Sequence, residues 1–386
     1  MILKKAKGLV CILLAVTFLL SASSCSYLRD FYGQGDDTTT LGEETTPSGD
    51  ETTASSDETT DSDNTAVTFP VPEIEMNYIN PYTGLPCKYD LKESRAVAFV
   101  VDNSYLSAPQ DGLSGADILC EFPCSDGNTV LMAIYKNPED ASRVGPLGTA
   151  SKVLLDLAKC FDALVFSRDM TQSMKTAQSA PSYLYSYESS ALPFGFFEAS
   201  DRKNELGYKY SVTGEGVRLF SLVASMGTTV TSNEAFSSVF DFYTGEREYS
   251  LAGKTSGGVY IEVSEKQHIQ FVYSESTKMY YRYQFGTEPH TDALNDSALA
   301  FKNLFFLSAT EDYTLADDEI KLGIGGRGTG YYVCNGKYIS ISWVRDSAGV
   351  FKFYKADGTA LDVPAGKSYM GFFPTSKLSG ILLNGK

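Results

Sequence analysis

The chain has 386 residues, of which 43% are hydrophobic and 21% are charged, and its formal net charge is −16. This acidic balance, without any cluster of lysine or arginine, excludes the basic surface on which nucleic-acid-binding proteins depend. Much of the negative charge lies near the N-terminus, so the rest of the chain is only mildly acidic and has enough apolar residues for a sizeable core.

Residues 1–24 are typical of a bacterial lipoprotein signal peptide. Three lysines within residues 4–7 precede an apolar stretch, residues 9–20, that is too short to span a bilayer comfortably. The sequence ASSC at residues 22–25 resembles the lipobox, although alanine stands where leucine is usual. We therefore expect acyl chains such as palmitate on Cys25, which would anchor the protein on the extracytoplasmic face of the cell membrane. The alternatives are an ordinary cleaved signal or an uncleaved anchor.

An acidic tether is predicted to follow, within residues 25–70. Residues 31–70 contain ten acidic and no basic residues and consist mainly of Thr, Ser, Gly, Asp and Glu. This composition cannot bury enough apolar surface to offset the entropy lost on ordering, so we expect a solvated, disordered spacer. A coil of this length has an end-to-end distance of about 35 Å, which charge repulsion increases. The alternative is a tail that binds cations or a partner.

The remaining residues predict an α+β protein with two domains, residues 71–230 and 231–386. In the first, apolar runs alternate with helical patterns, which indicates an α/β domain with a mixed sheet. In the second, the pattern changes to a period of two and aromatic residues become frequent. That change indicates a β-rich domain, either a sandwich or an open barrel.

Local patterns predict the elements of the first domain. Predicted strands cover residues 96–101, 118–124, 129–135 and 163–166. An Asp-Gly turn at residues 126–127 joins the second and third of these strands as a hairpin. Thr149 is the predicted N-cap of a helix that ends near Phe161. A later helix, over residues 214–226, is stopped by Gly227.

The second domain is predicted to contain short strands and tight turns. Strands are expected over residues 258–263, 269–273 and 279–285, with hairpin turns at residues 335–336 and 357–358. Tyr280, Tyr281 and Tyr283 could line a groove for a sugar or a peptide, but ordinary packing within the sheet is the favoured interpretation.

Several tempting motifs lack the context that their chemistry needs. The sequence GIGGRG at residues 323–328 precedes a strand instead of opening a helix, so nucleotide binding is not predicted. His268 and His290 lie outside any metal-binding or triad spacing, and we expect His290 to make a turn or cap interaction. The acidic residues 317–319 are expected to form a solvated loop. No metal site and no cofactor is predicted.

The cysteines beyond residue 25 do not form the dense pattern of a disulfide scaffold. They are Cys87, Cys120, Cys124, Cys160 and Cys334. Two of them, four residues apart on one predicted strand, lie about 13 Å from each other and cannot bond. We interpret the cysteines as small buried side chains, with a disulfide elsewhere as the alternative.

The chain resembles a known family over nearly all of its folded part. The segments that carry the resemblance are NPYTGLP (80–86), AVAFVVDN (96–103), PQDGLSGADILCEF (109–122), RVGPLGTASKVLLDLAKCFDALV (143–165) and PHTDALNDSALAFKNLFFL (289–307). They are similar to the YerB-like lipoproteins of unknown function. The resemblance implies a two-domain extracytoplasmic lipoprotein and brings no established reaction.

The chain departs from that family at positions that carry charge. Gly148 and Ser151 stand where the family pattern has arginines, and residues 166–169 replace a His-Ala-Gly-Gly stretch. The Pro-His-Asn that usually follows Arg-Lys is missing after Arg202-Lys203. If the family positions form a polar or anionic-ligand site, this chain keeps little of it, although Arg168 would restore one positive charge.

Polar residues at the predicted strand ends form the candidate site. Asp102 and Asn103 follow one strand, Arg168 follows another, and Arg143 and Thr149 flank the start of a helix. Open α/β sheets bind ligands at the carboxyl ends of their strands, so we expect a ligand-binding cleft there.

Glu121 is the remaining candidate, because it interrupts an apolar strand. It either faces solvent or sits in a pocket beside an arginine, in which case Asp102, Glu121, Arg143 and Arg168 would share one cleft. The favoured function is a noncatalytic binding or scaffolding lipoprotein of the cell envelope that engages a wall polymer, a peptide or a membrane protein. The alternative is a glycan-acting hydrolase in which Asp102 and Glu121 form the carboxylate pair.

Overall fold

The structure is a computed structural model that describes residues 75–176, 182–188, 194–236, 238–314 and 320–384. The predicted signal peptide (residues 1–24), Cys25 and the whole of the predicted tether (residues 25–70) lie outside the described residues. So does the acidic loop at residues 317–319. None of the described helices is both long and apolar enough to cross a membrane.

The part of the chain before residue 230 contains strands and helices in alternation. They are β1 (Tyr78–Ile79), β2 (Pro86–Cys87), β3 (Val97–Asn103), β4 (Ile118–Pro123), β5 (Thr129–Tyr135), β6 (Thr149–Ala150), α1 (Lys152–Lys159), β7 (Leu164–Ser167), β8 (Asp169–Met170), α2 (Gln172–Thr176), β9 (Leu184–Ser186), β10 (Phe196–Glu198), α3 (Ser200–Leu206), β11 (Val212–Gly214) and α4 (Gly216–Ser225).

The part after residue 230 is rich in strands. They are β12 (Asp241–Phe242), β13 (Lys254–Thr255), β14 (Gly258–Glu262), β15 (His268–Ser274), β16 (Met279–Gln284), β17 (Ala300–Phe301), β18 (Asn303–Glu311), β19 (Leu322–Gly323), β20 (Arg327–Cys334), β21 (Lys337–Arg345), β22 (Phe351–Lys355), β23 (Asp362–Val363) and β24 (Ser368–Pro374), and the helix α5 (Thr375–Leu378) follows them.

One large mixed sheet runs through both parts of the chain. Its strand order is β13-β21-β20-β18-β24-β4-β5-β3-β7-β9, with β19 beside β18 and β22 beside β21. The parallel pairs are β18 with β24, β24 with β4, β3 with β7 and β7 with β9. These features confirm the predicted α+β class, the mixed sheet and the β-rich C-terminal part.

Both faces of the central strands β3, β4 and β5 are buried, and alternation along each strand decides which residue meets which layer. On β3, Ala98 and Val100 belong to the core that contains α1, whereas Phe99 and Val101 belong to the core on the opposite face. Helix α4 and a smaller sheet of order β14-β15-β16-β17 cover that opposite face. The two sheets therefore pack face to face there.

The pair β24 and β4 joins the two parts of the sequence. Ser368 to Gly371 lie in parallel register with Ile118 to Glu121. Residues 71–386 accordingly form one compact unit, and the predicted boundary near residue 230 divides the sequence while the sheet continues across it.

The NPYTGLP segment, residues 80–86, binds the N-terminal end of the described chain to this unit through hydrogen bonds and core packing. The Tyr82 hydroxyl donates to the backbone oxygen of Phe161 at 2.6 Å, and Asn80 Nδ2 donates to Asp117 Oδ1 at 3.0 Å. Tyr82 is fully buried against the sheet face that carries α1. The segment is thus part of the core.

The predicted start of the first helix is wrong. Helix α1 begins at Lys152 and its N-cap is Ser151, not Thr149. Thr149 lies instead in β6, which pairs in parallel with β8. The short bridge holds the chain extended for two more residues, so the helix can begin only after it.

Candidate functional site

A cavity of about 280 Å³ lies beyond the carboxyl ends of β3 and β7, beside the start of α1. Its lining is mostly polar. The charged residues among those that line it are Asp102, Asp126, Asp169, Arg168, Lys175 and Lys209. Three negative and three positive side chains therefore surround one small space.

Arg168 is held in place by oxygen atoms at the cavity edge. Its Nη1 donates to the backbone oxygen of Lys209 at 2.8 Å, and its Nη2 donates to Thr149 Oγ1 at 3.1 Å. Its Nε lies 3.8 Å from a carboxylate oxygen of Glu188. The guanidinium is therefore fixed by neutral acceptors and only loosely paired with a carboxylate.

Asp102 is ionised by its surroundings. Burial alone would raise its pKa, but hydrogen bonds from Ser104 and Ser107 and the charge of Lys209 lower that pKa overall. Ser104 Oγ donates to Asp102 Oδ1 at 2.5 Å, whereas Lys209 Nζ lies 3.5 Å from Oδ2. One carboxylate oxygen is thus occupied, and the other faces a loosely bound cation.

Asp169 and Lys175 form the closest ion pair of the cavity lining, with an N–O distance of 2.7 Å. Burial alone would raise the pKa of Asp169, but the hydrogen bond from Lys175 and one from the Met170 amide lower that pKa overall. The Asp169 carboxylate is therefore ionised, and the Lys175 ammonium group faces it. They contribute one charge of each sign to the rim.

Ser151 completes the lining at the start of α1. It is 3% exposed, and its hydroxyl oxygen has no hydrogen-bond partner among the described residues. As the N-cap of α1 it makes no side-chain hydrogen bond to the helix. A serine at this position ordinarily caps the first N–H groups of the helix, but here the hydroxyl of Ser151 remains available to a ligand in the cavity.

The structure brings together three of the residues predicted for the site and separates the others. Asp102, Thr149 and Arg168 line the cavity. Asn103 and Glu121 point to the opposite face of the sheet, because neighbouring residues of a strand alternate between its faces. The expected single cleft is therefore not present.

Glu121 lies in a buried polar network between the two sheets. Its two carboxylate oxygens accept from Arg282 Nη2 at 2.9 and 3.0 Å, and both side chains are 0% exposed. Thr129 donates to the same carboxylate at 2.6 Å and Tyr369 at 2.9 Å. The solvent-facing alternative is wrong, and the arginine partner comes from the second part of the sequence.

His290 extends this network, so its expected role in a turn or cap is wrong. Its Nδ1 lies 2.6 Å from Arg282 Nη1, which can only donate, and its Nε2 lies 2.6 Å from Gln110 Oε1. The ring is therefore neutral and carries its proton on Nε2. Burial, with the Arg282 charge beside it, holds the pKa of His290 well below the ordinary value.

Asn103 connects the network to the rest of the sheet, and Arg143 lies elsewhere. Asn103 Nδ2 donates to Thr129 Oγ1 at 2.7 Å and to Gln284 Oε1 at 3.0 Å. Arg143 is exposed and pairs with Asp111 at 2.8 Å. It does not line the cavity of Asp102 and Arg168.

Comparison with known proteins places the chain in a family. Residues 82–213 match the family model described as protein of unknown function (DUF3048), N-terminal domain, and residues 259–370 match the corresponding C-terminal domain. The chain belongs to the DUF3048 family.

Two findings from Bacillus subtilis agree with this family assignment. The DUF3048 chain is 21% identical to the candidate lipoprotein YerB of strain 168 over 308 residues, which cover 79% of this chain and 88% of YerB. The crystal structure of YerB matches with a TM-score of 0.67 at 21% identity, over 79% of this chain and 99% of that one. At this identity the structural likeness establishes the fold alone.

Sequence reasoning missed several residues that shape the sites of this DUF3048 protein. Arg282 was not singled out because it lies among tyrosines in MYYRYQ. The period of two along this strand nevertheless places it on the inward face with Tyr280. Lys175 and Lys209 carry no motif. Ser151 stood next to the predicted cap, and only the helix start reveals its position.

The DUF3048 protein offers no ready place for a metal among the residues that the structure describes, since no three His, Cys, Asp or Glu side chains converge there. Cys87, Cys120, Cys160 and Cys334 are free thiols in this part of the chain, and burial raises the pKa of Cys120 and Cys160. The geometry of the cavity suits binding through charge pairs and hydroxyl groups.

Proposed function

We propose that this protein is a lipid-anchored, extracytoplasmic binding protein of the cell envelope, without catalytic activity, whose ligand occupies the cavity at the ends of β3 and β7. The cavity itself carries the proposal. It combines fixed charges of both signs with the hydroxyl of Ser151, and it lies where open sheets hold ligands. The ligand would be a soluble wall fragment or a peptide.

The membrane anchor in this proposal is the acylated Cys25. The basic and apolar regions of residues 1–24, the ASSC sequence at residues 22–25 and the similarity to a candidate lipoprotein support it. Metabolic labelling with a fatty-acid probe tests it. Cys25→Ala should abolish the label, because the thiol is the acylation nucleophile, and equal label on wild type and variant would refute the anchor.

Ligand binding is tested by retention of envelope material on the full chain purified in detergent. Lys175→Ala removes a charge from the cavity rim, and Lys203→Ala removes a lysine paired in the same way with Glu198 outside the cavity. Wall fragments or peptides retained by the wild type should be released several-fold more readily by Lys175→Ala and not by Lys203→Ala. Equal loss in both variants, or no retention by the wild type, would refute the site.

The hydrolase alternative finds no support in the arrangement. A carboxylate pair must face one glycosidic bond from about 5 to 9.5 Å apart. Asp102 points to the face of α1, whereas Glu121 is enclosed on the opposite face with its oxygens occupied. A substrate that reaches Asp102 cannot reach Glu121.

A further inference from the structure

We infer that the ligand of the cavity is a zwitterion of amino-acid or dipeptide size, with its carboxylate at the start of α1 and its ammonium group toward Asp102 and Asp126. This inference rests on the proposed function, since it names the chemical class of the ligand for the same site. It is carried by the helix start, the unpaired hydroxyl of Ser151 and the balance of charges.

The start of α1 provides the seat for the carboxylate. The first N–H groups of an α-helix have no intrahelical acceptor, and the aligned peptide dipoles place partial positive charge there. Ser151 leaves these donors uncapped by its side chain, because its hydroxyl makes no hydrogen bond. A carboxylate oxygen at this position would accept from the hydroxyl of Ser151, with the partial positive charge of the helix start behind it.

The buried hydroxyl of Ser151 is the observation that points to a ligand. A hydroxyl withdrawn from water and left without a partner is unfavourable in an empty site. Ser151 is 3% exposed and lines the cavity. Ser186 also has a buried hydroxyl without a partner, but it does not line this cavity, and it therefore provides a matched control.

Arg168 provides the positive charge beside the proposed position of the ligand carboxylate. Its guanidinium is fixed by Thr149 Oγ1 and the backbone oxygen of Lys209, and its distance of 3.8 Å from Glu188 leaves the charge only partly compensated. Guanidinium groups bind carboxylates through charge-assisted hydrogen bonds. The carboxylate would thus lie between the helix start and Arg168.

The opposite charge is provided by the other side of the lining. Lys209 Nζ lies 3.5 Å from Asp102 Oδ2, a distance at which a ligand ammonium could replace it, and Asp126 is exposed on the neighbouring turn. Three carboxylates against three cations would repel a multiply charged anion as strongly as they attract it. A ligand with one charge of each sign matches the lining.

The volume limits the size of this ligand. Cavities that bury drug-sized molecules begin at about 300 Å³. At about 280 Å³, this cavity accommodates an amino acid or a dipeptide and not a folded segment or a polymer chain. A longer peptide would place only its terminal residue inside.

The inference is tested by isothermal titration calorimetry on the full chain in detergent, with alanyl-alanine, its N-acetyl derivative and its C-terminal amide as probes. The free dipeptide should bind, and each blocked derivative should bind at least tenfold more weakly. Ser151→Ala should weaken dipeptide binding at least fivefold without lowering the melting temperature, whereas Ser186→Ala should leave the affinity unchanged.

Three results would overturn the inference. Equal binding of the N-acetyl derivative would show an anion site without an ammonium seat. Equal loss in Ser151→Ala and Ser186→Ala would show that the Ser151 hydroxyl does not contact the ligand. If no dipeptide binds while Lys175→Ala still reduces retention of wall fragments, the zwitterion is wrong and the proposed function stands; if neither is retained, both fail.

Discussion

The carboxylate of Glu121 and the guanidinium of Arg282 are fully buried, and each has several polar neighbours. Taking two charges out of water is unfavourable, and mutual attraction with additional hydrogen bonds has to offset that loss. The buried pair is thus better evidence for one specific alignment of the two sheets than for a net gain in the stability of the fold. It aligns the smaller sheet with β4, because no other register would place both charges beside each other.

Removing one partner of this pair should be strongly destabilising. We expect Glu121→Ala to lower the free energy of unfolding by about 3–5 kcal/mol, since it leaves the Arg282 charge buried and uncompensated. Urea denaturation of the full chain measures it. Glu275→Ala, which breaks the exposed pair with Lys278, should change stability by less than about 1 kcal/mol, and equal effects would contradict this account.

Asp117 gives the fold a pH dependence of its own. It is buried beneath Asn80 and accepts from the Lys136 amide at 2.6 Å. Burial raises its pKa to about 7. The folded state therefore holds a proton that the unfolded state has already released, and stability falls as pH rises from about 4 to about 7.

Asp117→Asn should remove this pH dependence, because the amide never ionises. Relative to wild type, the variant should become more stable as pH rises through that window, by no more than about 4 kcal/mol. Denaturation midpoints of both proteins at pH 4.5 and pH 8 provide the measurement. Parallel changes in the two proteins would mean that Asp117 does not hold a proton in the folded state.

Among the elements, the turn at residues 110–116 depends on one glycine and one carboxylate. Gly112 has a φ of +84°, and a Cβ there would lie 2.1 Å from the backbone oxygen of Arg143. Its amide donates to Asp292 Oδ1 at 2.9 Å, and Ser114 donates to Oδ2 through its amide at 2.8 Å. The second part of the sequence thus fixes a turn of the first.

Gly112→Ala should therefore be much more destabilising than an equivalent change in open space. Gly227, just after α4, has a similar φ of +87° and nothing within 4 Å, so Gly227→Ala measures the backbone strain alone, about 1–2 kcal/mol. Gly112→Ala should lower stability by at least a further 2 kcal/mol, because the backbone of Arg143 has to move. Thermal denaturation of the two variants decides it, and similar losses would refute the steric argument.

The elements that the sequence predicts well are those with local signals. Strands β3, β4 and β5 follow from apolar runs, and the turn at residues 335–336 from Asn-Gly, whose residues both have positive φ. The pairing of β4 with β24 carries no local signal, because it joins residues about 250 positions apart. Nothing in either strand specifies the other.

Only part of the candidate site could be predicted, because local signals locate strand ends and helix starts but not the pairing of distant strands. Asp102, Thr149 and Arg168 meet because strand ends and a helix start come together at one edge of a sheet. The prediction that Glu121 shares this cleft was wrong, because the face to which a residue points depends on the register of the whole sheet. The unpaired hydroxyl of Ser151 is a property of packing, which residue type alone does not indicate.

For the whole molecule, the continuous sheet makes the two family domains mutually dependent. We expect the full chain to unfold residues 71–386 in one transition, and residues 71–230 or 231–386 expressed alone to show none. The fragment of residues 71–230 would expose the edge of β4 and leave Glu121 without Arg282. Circular dichroism and the fluorescence of Trp343 should give the same midpoint; a cooperative transition in the first fragment would contradict this.

The position of β24 has a consequence for the order in which the protein can be assembled. A ribosome or a secretion channel delivers the chain from its N-terminus, and β4 lacks its neighbour on that side until residues 368–374, about 250 positions later, emerge. Until then the central strand stays open and aggregation-prone. Under the proposed export, this late completion of the sheet would keep the polypeptide unfolded during transport and defer its folding to the far side of the membrane.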